Sequence, residues 1–188
     1  ITDGCELPSS STSVVLHVNS NGDVLFKSQF DMGGYEFILD GVGPTAEVEW
    51  SGGVTEAESF LVSHAYNVPQ EGYKVISFTI TVGAFIPAGC GTLIQFTICQ
   101  DDNENEECDD GEAAVVPTSL SDIIIASTGA TAIPSTYYEI VNGCTDDGTT
   151  EDGDGTIACN YNSAATIDDD SCIYPDPINC VGCSGETD

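Results

Sequence analysis

Apolar and polar residues alternate with a period of two through most of the first 142 residues, the pattern of half-buried strands. The run SVVLHV at 13–18 is apolar and β-branched, and DVLFKS at 23–28 follows a turn formed by Asn19, Ser20, Asn21 and Gly22. GYEFIL at 34–39 puts Tyr35, Phe37 and Leu39 on one face, and AEVEW at 46–50 alternates in the same way. Residues 60–66, KVISFTITV at 74–82 and TLIQFTI at 92–98 come next, and 122–126 and 137–141 are last. Gly, Pro, Asn and Ser separate these runs, and no stretch of helical length carries a 3.6-residue period. About nine short strands with this spacing predict an all-β protein, a β-sandwich or a barrel.

The pattern changes at Asn142, Gly143 and Cys144. Beyond it, apolar residues thin out and Asp, Gly, Asn, Thr and Cys dominate. The expected organisation is a β-sandwich module over 1–142 and a Cys/Asp-rich tail over 143–188 with little regular structure. The last residues, CSGETD, carry no apolar anchor, so the tail is expected to continue in a longer precursor.

Charge sharpens the division. The chain has two lysines, Lys27 and Lys74, no arginine and 32 acids, for a net charge of −30. Such a surface repels nucleic acid and anionic lipid and attracts cations. Eight acids fall within 101–112 (DDNENEECDDGE) and eleven within 144–188. No apolar run reaches the length of a membrane span.

There are nine cysteines: Cys5, Cys90, Cys99, Cys108, Cys144, Cys159, Cys172, Cys180 and Cys183. This density points to an oxidising compartment and a disulfide framework, with one cysteine left over. A tail this polar cannot build its own core and needs disulfides or metal. Cys180 and Cys183 form a CxxC, but the second CxxC or histidine pair of a zinc site is missing. Asp146, Asn160, Asn162, Asp168, Asp169 and Asp170 offer hard oxygen donors at short spacings between cysteines, the donor type calcium takes. Asp152 and Asp154, alternating with glycine, offer a second, weaker set. Ca2+ is the expected cofactor.

Catalytic readings fare poorly. Ser63 and His64 are adjacent, so on a strand they point to opposite faces. Glu47 and Glu49 share one face of a strand, which suits a solvent-facing row with Val48 and Trp50 inside. Trp50, Tyr66, Tyr73, Tyr137 and Tyr138 offer either a sugar platform or ordinary core packing. No phosphate-binding glycine loop is present.

The tail pattern, GCTD at 143–146, ACNYN at 158–162 and ATIDDDSC at 165–172, resembles a short repeat, GCTDxxACNYNxxAxxDDGSC. That repeat occurs in large secreted and surface proteins of marine microbes and their viruses, and is similar to thrombospondin type 3 calcium repeats. The match departs by an insertion at 147–157 and by Asp170 in place of glycine. In the first region CELP at 5–8, GDVLF at 22–26, GGYEF at 33–37 and IPAGCGTL at 86–93 resemble modules found beside those repeats. These are similar to cohesins, nine-stranded jelly-roll sandwiches that bind or scaffold and do not catalyse. The resemblance implies that Cys5 pairs with Cys90 and Cys99 with Cys108, other connectivities remaining open. It implies an extracellular structural or adhesive module of a surface fibre, sheath, adhesin or virion decoration. Self-association or neighbouring domains are the expected partners. The alternative is a carbohydrate- or protein-binding module.

Overall fold

The computed structural model describes residues 1–100, 108, 112–149 and 156–174. It divides into two compact units, Ile1–Tyr138 and Glu139–Asp188.

The first unit is a two-sheet β-sandwich. Its strands are β1 (Val14–Val18), β2 (Val24–Ser28), β3 (Met32–Asp40), β4 (Ala46–Ser51), β5 (Leu61–Asn67), β6 (Gly72–Phe78), β7 (Gly89–Gln100), β8 (Ser119–Ser127), β9 (Ala132–Ile133) and β10 (Ser135–Tyr137). One sheet runs β10-β1-β2-β7-β4 and the other β5-β6-β3-β8-β9. All pairings within them are antiparallel except β1 with β10. The core lies between the sheets. Val14, Leu16, Val24, Phe26 and Leu93 from the first meet Met32, Phe37, Leu39, Val75 and Ile125 from the second.

Local chemistry sets the turns. The Asn19 carboxamide oxygen accepts from the N–H of Asn21 (2.9 Å) and of Asp23 (3.0 Å), closing the β1–β2 hairpin. Gly22 stands there at φ +86°, where a side chain would be strained. A five-residue helix, α1 (Gly53–Ala57), connects β4 of one sheet to β5 of the other. Fully buried Thr55 pins it: its hydroxyl donates to the Leu93 carbonyl (2.7 Å) and accepts from the Tyr35 phenol (2.7 Å). Burial pushes the Tyr35 pKa up to about 12.

Two elements differ from the sequence expectation. The alternation of 74–82 continues past the strand, which stops at Phe78, because its pairing with both neighbours ends there. Phe78 pairs with Leu61 at the start of β5 and with Gly34, beyond which β3 bulges. Ile80 and Val82 are therefore exposed. The last strand lies at Ser135–Tyr137 and not at 137–141, because Pro134 breaks the segment after β9 and its carbonyl receives the Val14 N–H (2.8 Å), setting the register with β1.

Among its described residues the second unit holds one two-residue parallel pair, β11 (Asn142–Gly143) with β12 (Ile167–Asp168), and is otherwise loops and turns. Its buried centre is small, with Cys144 and Ala158. Cys144 is bonded to Cys172 across 28 residues, worth about 3.5 kcal/mol by loop-closure entropy. The sandwich holds Cys5–Cys90 and Cys99–Cys108. Cys159 is disulfide-bonded too. Disulfides throughout fit an oxidising compartment. Among the described residues, no helix is long and apolar enough to cross a membrane.

Candidate interaction face and candidate calcium loop

Strands β1 and β2 are buried on both sides, and only one side faces the core. Val15 and Leu25 point to the outer face of the first sheet, where Leu7 covers them and Ile1 and Tyr138 add to the cluster. The N-terminal segment therefore acts as a strap. A 3-10 turn at Gly4–Glu6 shapes it, capped by Asp3, whose carboxylate accepts the Cys5 N–H (2.9 Å). Gly4 is obligatory, since a Cβ there would sit 2.3 Å from the Gly91 carbonyl oxygen. Two fasteners hold the strap: the Cys5–Cys90 disulfide, and Lys27, whose ammonium donates to the carbonyls of Cys5 (2.9 Å) and Leu7 (2.6 Å).

The outer face of the second sheet has no such cover among the described residues. Leu61, Ile76, Phe78 and Ile124 lie on it with their side chains 36–53% exposed. Strand β6 sends Tyr73, Val75 and Ser77 toward the core and Lys74, Ile76 and Phe78 outward. Two large apolar side chains left on the outer side mark the face. Gly34 has no side chain on the face, where a Cβ would lie 2.9 Å from the Ser77 carbonyl oxygen. The result is a shallow groove of about 240 Å³ bordered by Gly34, Ile76, Phe78, Ile124 and Ala126. Beside it Lys74 pairs with Glu36 at 2.6 Å. None of these apolar residues was expected as a site from sequence. The missed signal was the parity within 74–82, where the even positions are the more apolar.

The other candidates fall elsewhere. His17 is buried, and its Nδ1–H donates to the Tyr138 carbonyl (2.9 Å), which fixes the tautomer. Burial pulls its pKa below the usual value, the backbone bond opposes this, and the N-terminal charge adds to the lowering. Ser63 is exposed on the outer face and His64 points inward against Tyr73. Glu47 and Glu49 alternate with core-facing Val48 and Trp50. The aromatic set is dispersed: Trp50 on β4 and Tyr137 on β10 stand at opposite edges of one sheet, and Tyr66 packs on Tyr73 in the other.

In the second unit the predicted oxygen donors brace the loop. Asp146 accepts from the Gly148 N–H (2.9 Å) and from the Tyr174 phenol (2.6 Å). Asn160 clamps two strands of loop, donating to the Ser171 carbonyl (2.7 Å) and accepting from the Ile173 N–H (2.7 Å). Asn162 and Asp169 each accept a backbone N–H two residues on. Asp168 accepts from the Asp170 N–H (2.8 Å) and the Thr145 hydroxyl (2.9 Å), which lower its pKa, while the charge of Asp146 raises it. Asp170 lies at φ +60°, the left-handed region that favours glycine and that Asp tolerates better than most residues. Asp152, Asp154, Cys180 and Cys183 lie outside the described residues. Among the described residues no three His, Cys, Asp or Glu side chains converge as a metal cage. They do place Asp146 and Asp168 within each other's field, with both lysines of the chain in the other unit.

No protein-family model matches the chain, and no curated protein matches it. Among solved structures it is similar to a non-cellulosomal cohesin from the archaeon Archaeoglobus fulgidus, at 15% identity and a TM-score of 0.41 over 68% of this chain and 86% of that one. It is similar to the type I cohesin–dockerin complex Coh-OlpC-Doc435 from Clostridium thermocellum, at 9% identity and a TM-score of 0.45 over 71% and 94%. A type II cohesin module of the ScaA scaffoldin from Acetivibrio cellulolyticus gives 13% identity and a TM-score of 0.41 over 71% and 88%. The sandwich itself rests on its own strand order and pairing.

Proposed function

We propose that this chain is a non-catalytic module of an extracellular assembly, which engages a protein partner through the outer face of the β5-β6-β3-β8-β9 sheet. The observation that carries this is the outward parity of Ile76 and Phe78 beside Leu61 and Ile124. Four large apolar side chains left on one outer face forgo burial that a docked apolar surface would supply. The partner offers apolar side chains to the groove, with cationic residues around them to meet a chain of net charge −30.

Capture from the culture medium of the producing cells tests this. The wild-type module is expected to retain a partner that Ile76→Ser/Phe78→Ser loses, with a melting temperature changed by only a few degrees. Equal retention by both proteins rejects the face.

The tail is proposed to bind Ca2+, with Asp146 and Asp168 as paired carboxylates and nearby carbonyl and Asx oxygens completing six to eight ligands. The mutual repulsion of the two carboxylates, with no cation in that unit's sequence, supports this. Calcium would stiffen the tail into a spacer between modules. Limited proteolysis checks it: chelator should open cleavage sites within 143–174 that calcium, but not magnesium, closes. The same digest in both conditions would remove calcium from the account.

A further inference from the structure

Among the disulfides between described cysteines, Cys5–Cys90 is set apart by exposure. Both of its half-cystines are exposed, whereas Cys99 and Cys144 are buried in theirs. Cys90 stands between two glycines, so neither neighbour in the chain carries a side chain to shield its sulfur. The space a Cβ would take at Gly91 is open, and at Gly89 the nearest atom is the Pro87 carbonyl oxygen at 3.9 Å. A pocket of about 200 Å³ opens at Cys90, bordered by Ser9, Ser10, Lys27 and Gln29. Cys5 is not part of its wall.

A cation stands at the same place. Lys27 lies directly across from Cys90 in the β2–β7 register, and its ammonium donates to the Cys5 carbonyl (2.9 Å). A chain with two lysines and no arginine thus places one of them at this disulfide. An ammonium beside a cysteine favours its thiolate, and a better stabilised thiolate leaves faster in disulfide exchange. Access, room for an attacking thiol and a stabilised leaving group are the requirements of that chemistry, and three separate observations supply them.

We infer that Cys5–Cys90 is a reducible latch, at which a small thiol enters the pocket, attacks the Cys90 sulfur and frees Cys5 together with the N-terminal strap. In the first step the thiolate forms a disulfide with Cys90 Sγ as the bond to Cys5 Sγ breaks. The electron pair leaves on Cys5 Sγ, which takes a proton from solvent. A second thiolate attacks the small-thiol sulfur of the mixed disulfide, and Cys90 leaves and is protonated. The chain gains two electrons and two protons, and the two small thiols leave oxidised as their own disulfide. The strap then keeps only the Lys27 bonds and the packing of Leu7, so Val15 and Leu25 lose their fixed cover. The latch and the apolar groove lie on different sheets, so this inference and the proposed function fail separately.

Timed reduction of the folded wild-type chain with 2-mercaptoethanol, quenched with N-ethylmaleimide and read by peptide mass mapping, tests the latch. Cys5–Cys90 should open about tenfold faster than Cys99–Cys108 and Cys144–Cys172, with the early mercaptoethanol adduct on Cys90 and the maleimide on Cys5. Lys27→Met should slow this opening although it loosens the strap, and Lys27→Arg should restore it. Hydrogen exchange then reads the strap. The amides of Cys5 and Leu7, which bond the Asp3 carboxylate and the Gly4 carbonyl, should exchange faster once the bond is open, while those of β3 stay protected. Opening no faster than the other two bonds overturns the inference, as does an early adduct on Cys5. Faster opening in Lys27→Met would show that loosening of the strap governs the reaction, and unchanged exchange at Cys5 and Leu7 would leave the bond a staple without a switch.

Discussion

The two outer faces of the sandwich are built from similar strands and treated in opposite ways. On the first, Val15 and Leu25 are covered by the chain's own N-terminal strap, with Leu7 almost wholly buried. A disulfide and one of the two lysines hold that cover in place. On the second, Leu61, Ile76, Phe78 and Ile124 stay open, and the other lysine forms only a surface pair with Glu36. The difference teaches that exposed apolar area here is selective. Among the described residues the fold covers one outer face and leaves the other open, and the proposed function assigns the open one to a partner.

The sharpest way to break this contrast is to release the strap. Cys5→Ser/Cys90→Ser removes a link spanning 85 residues, with an expected loss of about 4.5 kcal/mol by loop-closure entropy, read by urea denaturation. A change under about 1 kcal/mol would show that the strap is held without it. Next, Leu7→Ala should cost roughly 2–5 kcal/mol as a buried deletion, and Ile124→Ser on the open face less than about 1 kcal/mol. Similar costs for both would mean that the two faces do not differ in role. The lysines give a smaller version of the test. Lys27→Met should cost about 2 kcal/mol through two charge-assisted bonds, and Lys74→Met under about 1 kcal/mol, as for an exposed ion pair. Equal melting temperatures for the two variants would contradict the clamp.

The smallest effect is that of His17, whose ring lies between Tyr137 and Tyr138 beside the strap. Its folded pKa is below the unfolded value of about 6.5. The unfolded chain therefore binds the proton first, and the contribution to stability is complete above that value. It is lost as pH falls through the folded pKa. His17→Asn should flatten the stability–pH curve in that acidic window, and an unchanged slope would assign the pH dependence to other groups.

The strands were legible because their alternation and β-branched runs are local properties. GYEFIL puts Tyr35, Phe37 and Leu39 into the core as its period requires, and Val48 and Trp50 turn inward as their spacing suggests. Local signals fail where neighbours decide. The run 74–82 keeps alternating after its pairing with both neighbours has ended, so Ile80 and Val82 read as strand and lie exposed. The strap was hidden because its few apolar residues, Ile1 and Leu7, stand in a polar segment with no period. Its trace was indirect: SVVLHV has no solvent side, which means that something covers both faces of β1. The open face was hidden by the same blindness to parity, since period two does not say which side is in. In the tail, cysteine and Asx spacing pointed to a braced loop, and Cys144–Cys172 closes one. The duties of single side chains, such as the Asn160 clamp on the backbone of Ser171 and Ile173, depend on contacts between distant residues.

The central claim is that the outer face around Phe78 is an interface and the strapped face is not. Site-specific photocross-linking tests it most directly, with benzoylphenylalanine at position 78 in one protein and at exposed Ser9, next to the strap, in another, each irradiated in the native extracellular setting. The account predicts a discrete protein adduct from position 78 and none from position 9. An adduct from position 9 alone, or the same adducts from both, would contradict it.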